Sequence, residues 1–314
     1  MSKVACIGEC MIELKQAEGG LLSRGFGGDT LNTAVYLARL GAGVDYITAL
    51  GDDALSDEMI AGWAAEGVGT KRVLRLPGKL PGLYMIQTDD KGERRFFHWR
   101  DSAAARSLMD LAETPEILDS LAGYDVIYLS AITLSLYGGE GRSRLFAALG
   151  RAREGGARFA FDTNFRARGW PDLDAARAVY RDAFELADIV LASTEDLLPL
   201  YPGESTENLL TRIPGAEVVL KLSEPASILR LEGVSYPIKA KPVEALVVDT
   251  TAAGDSFAAA YVAARLVGAD PLEAARAGHR LAGVVVCHPG AIIPRAAMPP
   301  GLVPNHANSR KASK

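Results

Sequence analysis

The chain has 314 residues, and its 34 basic and 39 acidic side chains give a net charge of −5. Apolar residues make up 48% and charged residues 23%. This ordinary globular usage excludes disordered, collagen-like and coiled-coil chains and leaves one large α/β domain or about two smaller ones. The mild acidity argues against general binding to nucleic acid or anionic membrane, so an anionic ligand must be held by local groups.

The N-terminal stretch MSKVACIGECMIEL carries Glu9 and Glu13 and lacks the apolar core of a signal peptide. No run of ~18 apolar residues predicts a membrane span. The three cysteines, Cys6, Cys10 and Cys287, include no CxxC pair. They predict buried thiols and a reducing, cytoplasmic setting, not a disulfide framework or structural zinc.

In chain order, short apolar runs predict buried strands at Val4–Gly8, Val44–Leu50, Val126–Ser130, Arg158–Phe161, Ile189–Ala192 and Val218–Leu222. Helical patterns fall between them near 30–41, 55–67, 140–154, 174–187 and 205–213. This alternation predicts a mostly parallel sheet with helices on both faces. Two regions break the rhythm. Thr70–Leu76, Tyr84–Thr88 and Arg94–Trp99, with a turn signal at Asp89–Gly92, predict an antiparallel β lid inserted at about 70–100. Ser227–Leu231 and Val234–Ile238 flank Gly233 as a hairpin. The polar end, 305–314, is expected to fray.

The segment Val247–Phe257, VVDTTAAGDSF, predicts a strand through Asp249, a turn of small residues, and a helix whose apolar positions include Phe257, Tyr261, Ala264 and Val267. Amides at Ala252, Ala253 and Gly254 would face an anion at the helix N-terminus, where the dipole is positive. Asp255 in the first turn is either a cap or a base. A carboxylate beside an anion-binding turn repels the anion unless it has chemical work. Accepting the proton of a hydroxyl that attacks phosphorus is such work. A second segment, Gly25–Gly41, has the Gly27–Gly28 pair, caps at Asp29 or Thr30, and an apolar stripe through Leu31, Ala34, Val35 and Ala38. Neither GxGxxG nor GxxxxGK occurs, which argues against a Rossmann dehydrogenase and a P-loop enzyme.

Together these segments resemble the signatures of the ribokinase-like, or pfkB-type, carbohydrate kinases: TTAAGDSF at 250–257 and the glycine-led helix at 27–41. Gly51-Asp52-Asp53 and Pro289-Gly290-Ala291 fit as well, and the likeness runs over about residues 3–300. Within the family the chain is most similar to the 2-keto-3-deoxygluconate kinases, through IGECMIEL at 7–14, GGDTLN at 27–32, PGLY at 81–84, FHWR at 97–100, DTNFR at 162–166 and GAIIPR at 290–295.

The resemblance implies a three-layer ribokinase-like fold over 1–304, with a β lid at about 70–100 and part of 10–26. It implies transfer of phosphate from ATP with Mg2+ to the terminal hydroxyl of a sugar acid. It also implies Asp255 as catalytic base and Ala252, Ala253 and Gly254 as anion hole. Gly28, Asp29 and Asn32 would bind sugar hydroxyls. Tyr84, Trp99 and Arg100 would close from the lid, and Asp162, Asn164 and Arg166 would line the sheet edge. Ser193, Lys221, Gly254 and His279 would meet the nucleotide, and Asp249 and Thr251 would help hold a monovalent cation, K+. Three places depart from the family pattern: Ser193–Asp196, Lys221–Pro225 and His279. Two arginines, Arg100 and Arg166, near one pocket favour a carboxylate-bearing sugar, with a neutral-sugar kinase or a silent sugar-binding protein as the alternatives. The aromatic lid edge is a candidate surface for a second copy of the chain.

Overall fold

The computed structural model describes residues 2–88, 94–215, 217–243 and 245–303. The expected turn at Asp89–Gly92 and the expected frayed end at 305–314 lie outside the described residues.

In chain order the body opens with β1 (Lys3–Ile7), and the chain then leaves it for β2 (Met11–Gln16) and β3 (Leu22–Gly27). It returns through α1 (Asp29–Arg39), β4 (Gly43–Gly51), α2 (Ala54–Ala65) and β5 (Val73–Leu76). A second excursion makes β6 (Leu83–Thr88) and β7 (Arg94–Trp99). The rest follows as α3 (Thr114–Ser120), β8 (Val126–Ser130), α4 (Ala131–Leu136), α5 (Gly139–Glu154), β9 (Arg158–Asp162) and α6 (Leu173–Leu186). Then come β10 (Ile189–Ser193), α7 (Thr194–Leu200), α8 (Thr206–Thr211), β11 (Glu217–Lys221), β12 (Ala226–Leu231), β13 (Val234–Lys239), α9 (Ala253–Leu266) and α10 (Pro271–Val285).

Nine strands form the main sheet in the order β13-β12-β11-β10-β9-β8-β1-β4-β5. The run from β11 to β5 is parallel, and the β12–β13 hairpin adds antiparallel at one edge. The parallel strands are apolar on both faces because both faces are covered. Alternation along β1 shows this directly: Val4 and Cys6 enter one core with α1, α2, α9 and α10, while Ala5 and Ile7 enter the other with α3 to α8. The three layers are therefore helix, sheet and helix, as expected.

The smaller sheet has the order β3-β2-β6-β7. Its outer pairs are antiparallel, but β2 and β6 run parallel. The lid is thus a mixed sheet, since two separate excursions leave the body in the same direction and meet side by side. Thr70–Leu76, expected in the lid, instead supplies β5, which pairs with β4 at the edge of the main sheet. The expected strand through Asp249 does not form: Val248 and Asp249 both donate backbone N–H groups to the Val286 carbonyl, a loop pinned to the end of α10. All three cysteines are free thiols; Cys6 and Cys10 are buried as expected, while Cys287, just past the end of α10, is only half-buried. Among the described residues no helix is long and apolar enough to cross a membrane.

Candidate active site

The carboxyl ends of β1, β9, β10 and β11 open on one side of the sheet, where parallel α/β folds place ligands. The N-termini of α1 and α9 face each other across this opening. Asn32 on α1 donates Nδ2 to Asp255 Oδ2 at 2.8 Å, and Thr33 Oγ1 reaches the Asp255 carbonyl at 3.3 Å. Two segments separated by more than 200 residues are joined at the candidate base.

Asp255 lies in the first turn of α9, which follows Ala252 in the left-handed region at φ 58°. A non-glycine residue there costs ~1–2 kcal/mol, and the turn aims the start of α9 at the cleft. The Ala253 N–H donates back to the Thr250 carbonyl at 3.2 Å. Of the three amides expected to form an anion hole, that of Ala253 is therefore used within the turn itself. Buried Asp249 ties the turn down. Its Oδ1 accepts from the Thr251 N–H and its Oδ2 from the Gly290 N–H, both at 2.9 Å. The segment after Gly290 is in turn held to α1, where Tyr36 donates to the Ala291 carbonyl and Arg39 to the Ile293 carbonyl. The GAIIPR stretch thus braces α1 against the turn before α9.

Three carboxylates converge here. Asn164 donates to Asp29 Oδ2 at 2.8 Å, Tyr128 donates to Asp162 Oδ2 at 3.1 Å, and Lys221 Nζ lies 3.7 Å from Asp162. Burial pushes the Asp255 carboxyl up to about 8, reinforced by the charges of Asp29 and Asp162 and opposed by Asn32 and Lys221. Burial also raises Asp162, with Lys221 opposing. A carboxyl titrating near 8 is suited to exchange a proton with a hydroxyl at physiological pH.

Gly28 is extended, so its value is space. A Cβ there would sit 2.3 Å from the Glu9 carbonyl. At Gly27 a Cβ would meet the Tyr84 hydroxyl at 2.0 Å. Tyr84 in turn donates to Glu13 Oε2 at 2.5 Å within the lid. Arg100, directly after β7, pairs with buried Glu9. Trp99 is 59% exposed.

Other expected residues have different surroundings. Arg166 is exposed; it donates to the Phe165 carbonyl at 2.6 Å and pairs with Asp196 at 3.5 Å, so it does not join Arg100. Ser193 caps α7 and bonds Asp196 Oδ2 at 2.7 Å. Asp196 also accepts from Thr163 and from the Phe165 N–H. The Ser193–Asp196 departure is therefore a cap that also anchors the loop at 163–166. Lys221 stands at the end of β11 near Gly254, where a Cβ would lie 3.5 Å from its Nζ. His279 on α10 bonds Ser227 at 2.8 Å and meets the Phe257 ring edge-on at 5.0 Å. Burial, aided by Lys221, pushes its imidazole down to about 4.

Sequence reasoning gave no role to Thr33, Tyr128 or Asp196. Tyr128 sits inside an all-buried strand, where its hydroxyl must find a partner. A polar tip inside an apolar run was the available signal.

A model of the pfkB family carbohydrate kinases matches residues 1–298. The chain belongs to this family. It is 44% identical over 306 residues to a 2-dehydro-3-deoxygluconokinase of Dickeya dadantii, covering 94% of this chain and 98% of that protein. A 2-dehydro-3-deoxygluconokinase of Escherichia coli is 41% identical, covering 95% and 99%. A fructokinase of Vibrio alginolyticus is 30% identical, covering 84% of each. Among solved structures, a fructokinase from Xylella fastidiosa with bound ATP superimposes with a TM-score of 0.81 at 22% identity, over 95% of both chains. A ribokinase II from E. coli in complex with ATP and Mg2+ gives 0.78 at 24% identity, over 93% and 94%. These two likenesses concern the fold.

Proposed function

We propose that the protein is an ATP-dependent kinase of 2-keto-3-deoxygluconate (2-dehydro-3-deoxygluconate), transferring the γ-phosphoryl group to the terminal hydroxyl to give the 6-phosphate and ADP. The observation that carries the reading is Asp255, a raised carboxyl at the start of α9 that bonds Asn32 of the opposing helix. The similarity to 2-dehydro-3-deoxygluconokinases over nearly the whole chain supports the substrate.

In this reading Asp255, once ionised, takes the proton of the terminal hydroxyl as its oxygen bonds to the γ-phosphorus and the bond to ADP breaks. Asn32 holds the carboxylate in place. Gly28 lets the sugar approach the main chain, and Asp29 and Asn164 accept and donate to its hydroxyls. The N-terminus of α9 and Lys221 face the phosphates. Among the described residues no cluster of three His, Cys, Asp or Glu side chains is arranged to hold a metal. This fits a magnesium ion that arrives on the nucleotide and neutralises phosphate charge. A potassium ion near Asp249 and Thr251 would order the turn before α9, where Asp249 already collects two backbone N–H groups.

The neutral-sugar alternative draws on one observation, the exposure of Arg166, which leaves Arg100 as the guanidinium on the lid side. A panel assay of ADP release with the keto-acid, fructose, ribose and no sugar decides between them. Preference for the keto-acid is expected. Equal use of fructose overturns the substrate, and no ADP with any sugar overturns the enzyme.

The lid also carries exposed Phe96, Phe97, Trp99 and Leu22. We propose that it pairs with the lid of a second copy. Light scattering that finds only monomer at micromolar concentration would remove this assembly.

A further inference from the structure

β1 ends at Ile7 and β2 begins at Met11, so residues 8–10 carry the chain from the body into the lid. Glu9 sits in the middle of that crossing and is buried. Its main chain lies against Gly28 at the start of α1. Its side chain reaches the far side of the lid, where Oε2 accepts from Arg100 Nη2. Gly82, just before β6, makes room for the pair: a Cβ there would lie 2.7 Å from Glu9 Oε1 and 3.2 Å from Arg100 Cβ. One acid thus touches the glycine before α1, the entry to β6 and the exit of β7.

Two atoms of this pair, Glu9 Oε1 and Arg100 Nε, are buried without a hydrogen-bond partner. Buried polar groups are nearly always satisfied; Oε1 is an acceptor and Nε a donor, so a ligand that completes both must offer a hydroxyl to the one and a carboxylate oxygen to the other, as a sugar acid can. The Asp29 carboxylate bears on both Glu9 and Asp255, which sets the pair beside the candidate base. Arg166, the other candidate for an anionic substrate group, is already bonded to its own neighbours.

We infer that Glu9 is a positioning residue, holding the Arg100 guanidinium by one Nη so that its Nε is left for the carboxylate of the sugar acid. The inference rests on the sugar-acid reading above. An arginine at the end of a lid strand has many rotamers, and ordering it at the moment of binding weakens affinity. Glu9 orders it beforehand from a rigid place at the base of the lid. Burial raises the Glu9 carboxyl and Arg100 opposes that rise; the hydrogen bond from Nη2 holds the guanidinium in either protonation state of the acid.

The test uses the full chain and compares kcat/KM for the keto-acid with that for an analogue whose carboxylate is reduced to an alcohol. KM for ATP is the internal control. Arg100→Gln is expected to lower the preference for the acid by about 10–100-fold. Glu9→Gln is expected to do the same through KM for the acid, with KM for ATP unmoved. The double variant should fall no further than Arg100→Gln alone, because the two act as one unit. Glu9→Asp, which keeps the charge but shortens the reach, should lose part of the preference, and it decides the matter if Glu9→Gln does not fold. A full preference retained by the Glu9 variants, with loss in Arg100→Gln, overturns the inference and leaves the substrate reading intact. A wild-type protein that shows no preference for the acid overturns both.

Discussion

Replacing Asp255 by Asn tests the chemistry and the electrostatics of the site in one variant. Asn keeps the shape, accepts the Asn32 hydrogen bond seen at 2.8 Å, and cannot take a proton. Loss of a general base costs ~10²–10⁴-fold in turnover, while sugar binding, measured by calorimetry, should persist. The stability effect has the opposite sign. The carboxyl moves from an ordinary 3.8 to about 8 on folding. Below 3.8 both states are protonated and the position costs nothing. Between 3.8 and 8 the unfolded chain ionises while the native carboxyl stays neutral, so wild-type stability falls as pH rises, and above 8 the full penalty stands. At about 1.4 kcal/mol per pH unit the ceiling is ~6 kcal/mol. Asp255 keeps an open face and shares the effect with Asp29 and Asp162, so roughly 2 kcal/mol is the working value. Asp255→Asn is therefore expected to match wild type in urea unfolding near pH 4 and to exceed it near pH 8.5. In wild type, kcat/KM should climb through pH 7 and level off above about 8. Equal stabilities at both pH values would refute the buried-carboxylate argument, and near-native turnover would reduce Asp255 to a helix cap.

Three further substitutions probe the supports of the site. Lys221→Met removes the cation that holds Asp255 and Asp162 down, so the rising limb of the kcat/KM profile should move to higher pH; a limb that stays in place would separate Lys221 from the base. Gly28→Ala puts a methyl group 2.3 Å from the Glu9 carbonyl and should raise KM for the sugar at least tenfold, on the order expected for a small misplacement, with KM for ATP changed less; equal shifts in both would point to general unfolding. Asp249→Ala strips the acceptor from the Thr251 and Gly290 N–H groups and should lower stability to urea by ~1–3 kcal/mol, an effect absent if solvent takes over both bonds.

Much of the fold was legible because buried parallel strands are apolar runs bounded by helices of clear period. Val126–Ser130 and Arg94–Trp99 fall where the pattern puts them. Thr70–Leu76 was assigned to the wrong sheet because a short strand's partner depends on which edge is free, and β4 offers that edge. The parallel β2–β6 pair was hidden because its strands lie about 70 residues apart and nothing local links them. At Val247–Asp249 the apolar run mimics a strand, yet Val247 and Val248 are half exposed, and the Val286 carbonyl takes the backbone donors that a sheet would have used. For the site, Asp255 and Asn32 could be read from their glycine-led turns. The difference between Arg100 and Arg166 could not be read, since both are arginines beside aromatic or turn residues. Only the fold reveals that Arg100 is largely covered beside Glu9, while Arg166 is exposed and only loosely paired with Asp196.

Burial first, and then the charge balance of the site, raise the carboxyl of the proposed base Asp255. Asp29, Asp162 and Asp255 converge on a cleft that is to receive a sugar acid and a polyphosphate, while Lys221, Arg100 and Arg166 are the cations among the expected ligand-binding residues, each already beside an acid. Three full negative charges there would repel both substrates, and like charges that close cannot all ionise. Keeping Asp255 neutral in the free protein removes one of them at no cost in shape. Lys221 opposes the rise of the Asp255 carboxyl, so the ionised form that would accept the hydroxyl proton stays within reach near neutral pH.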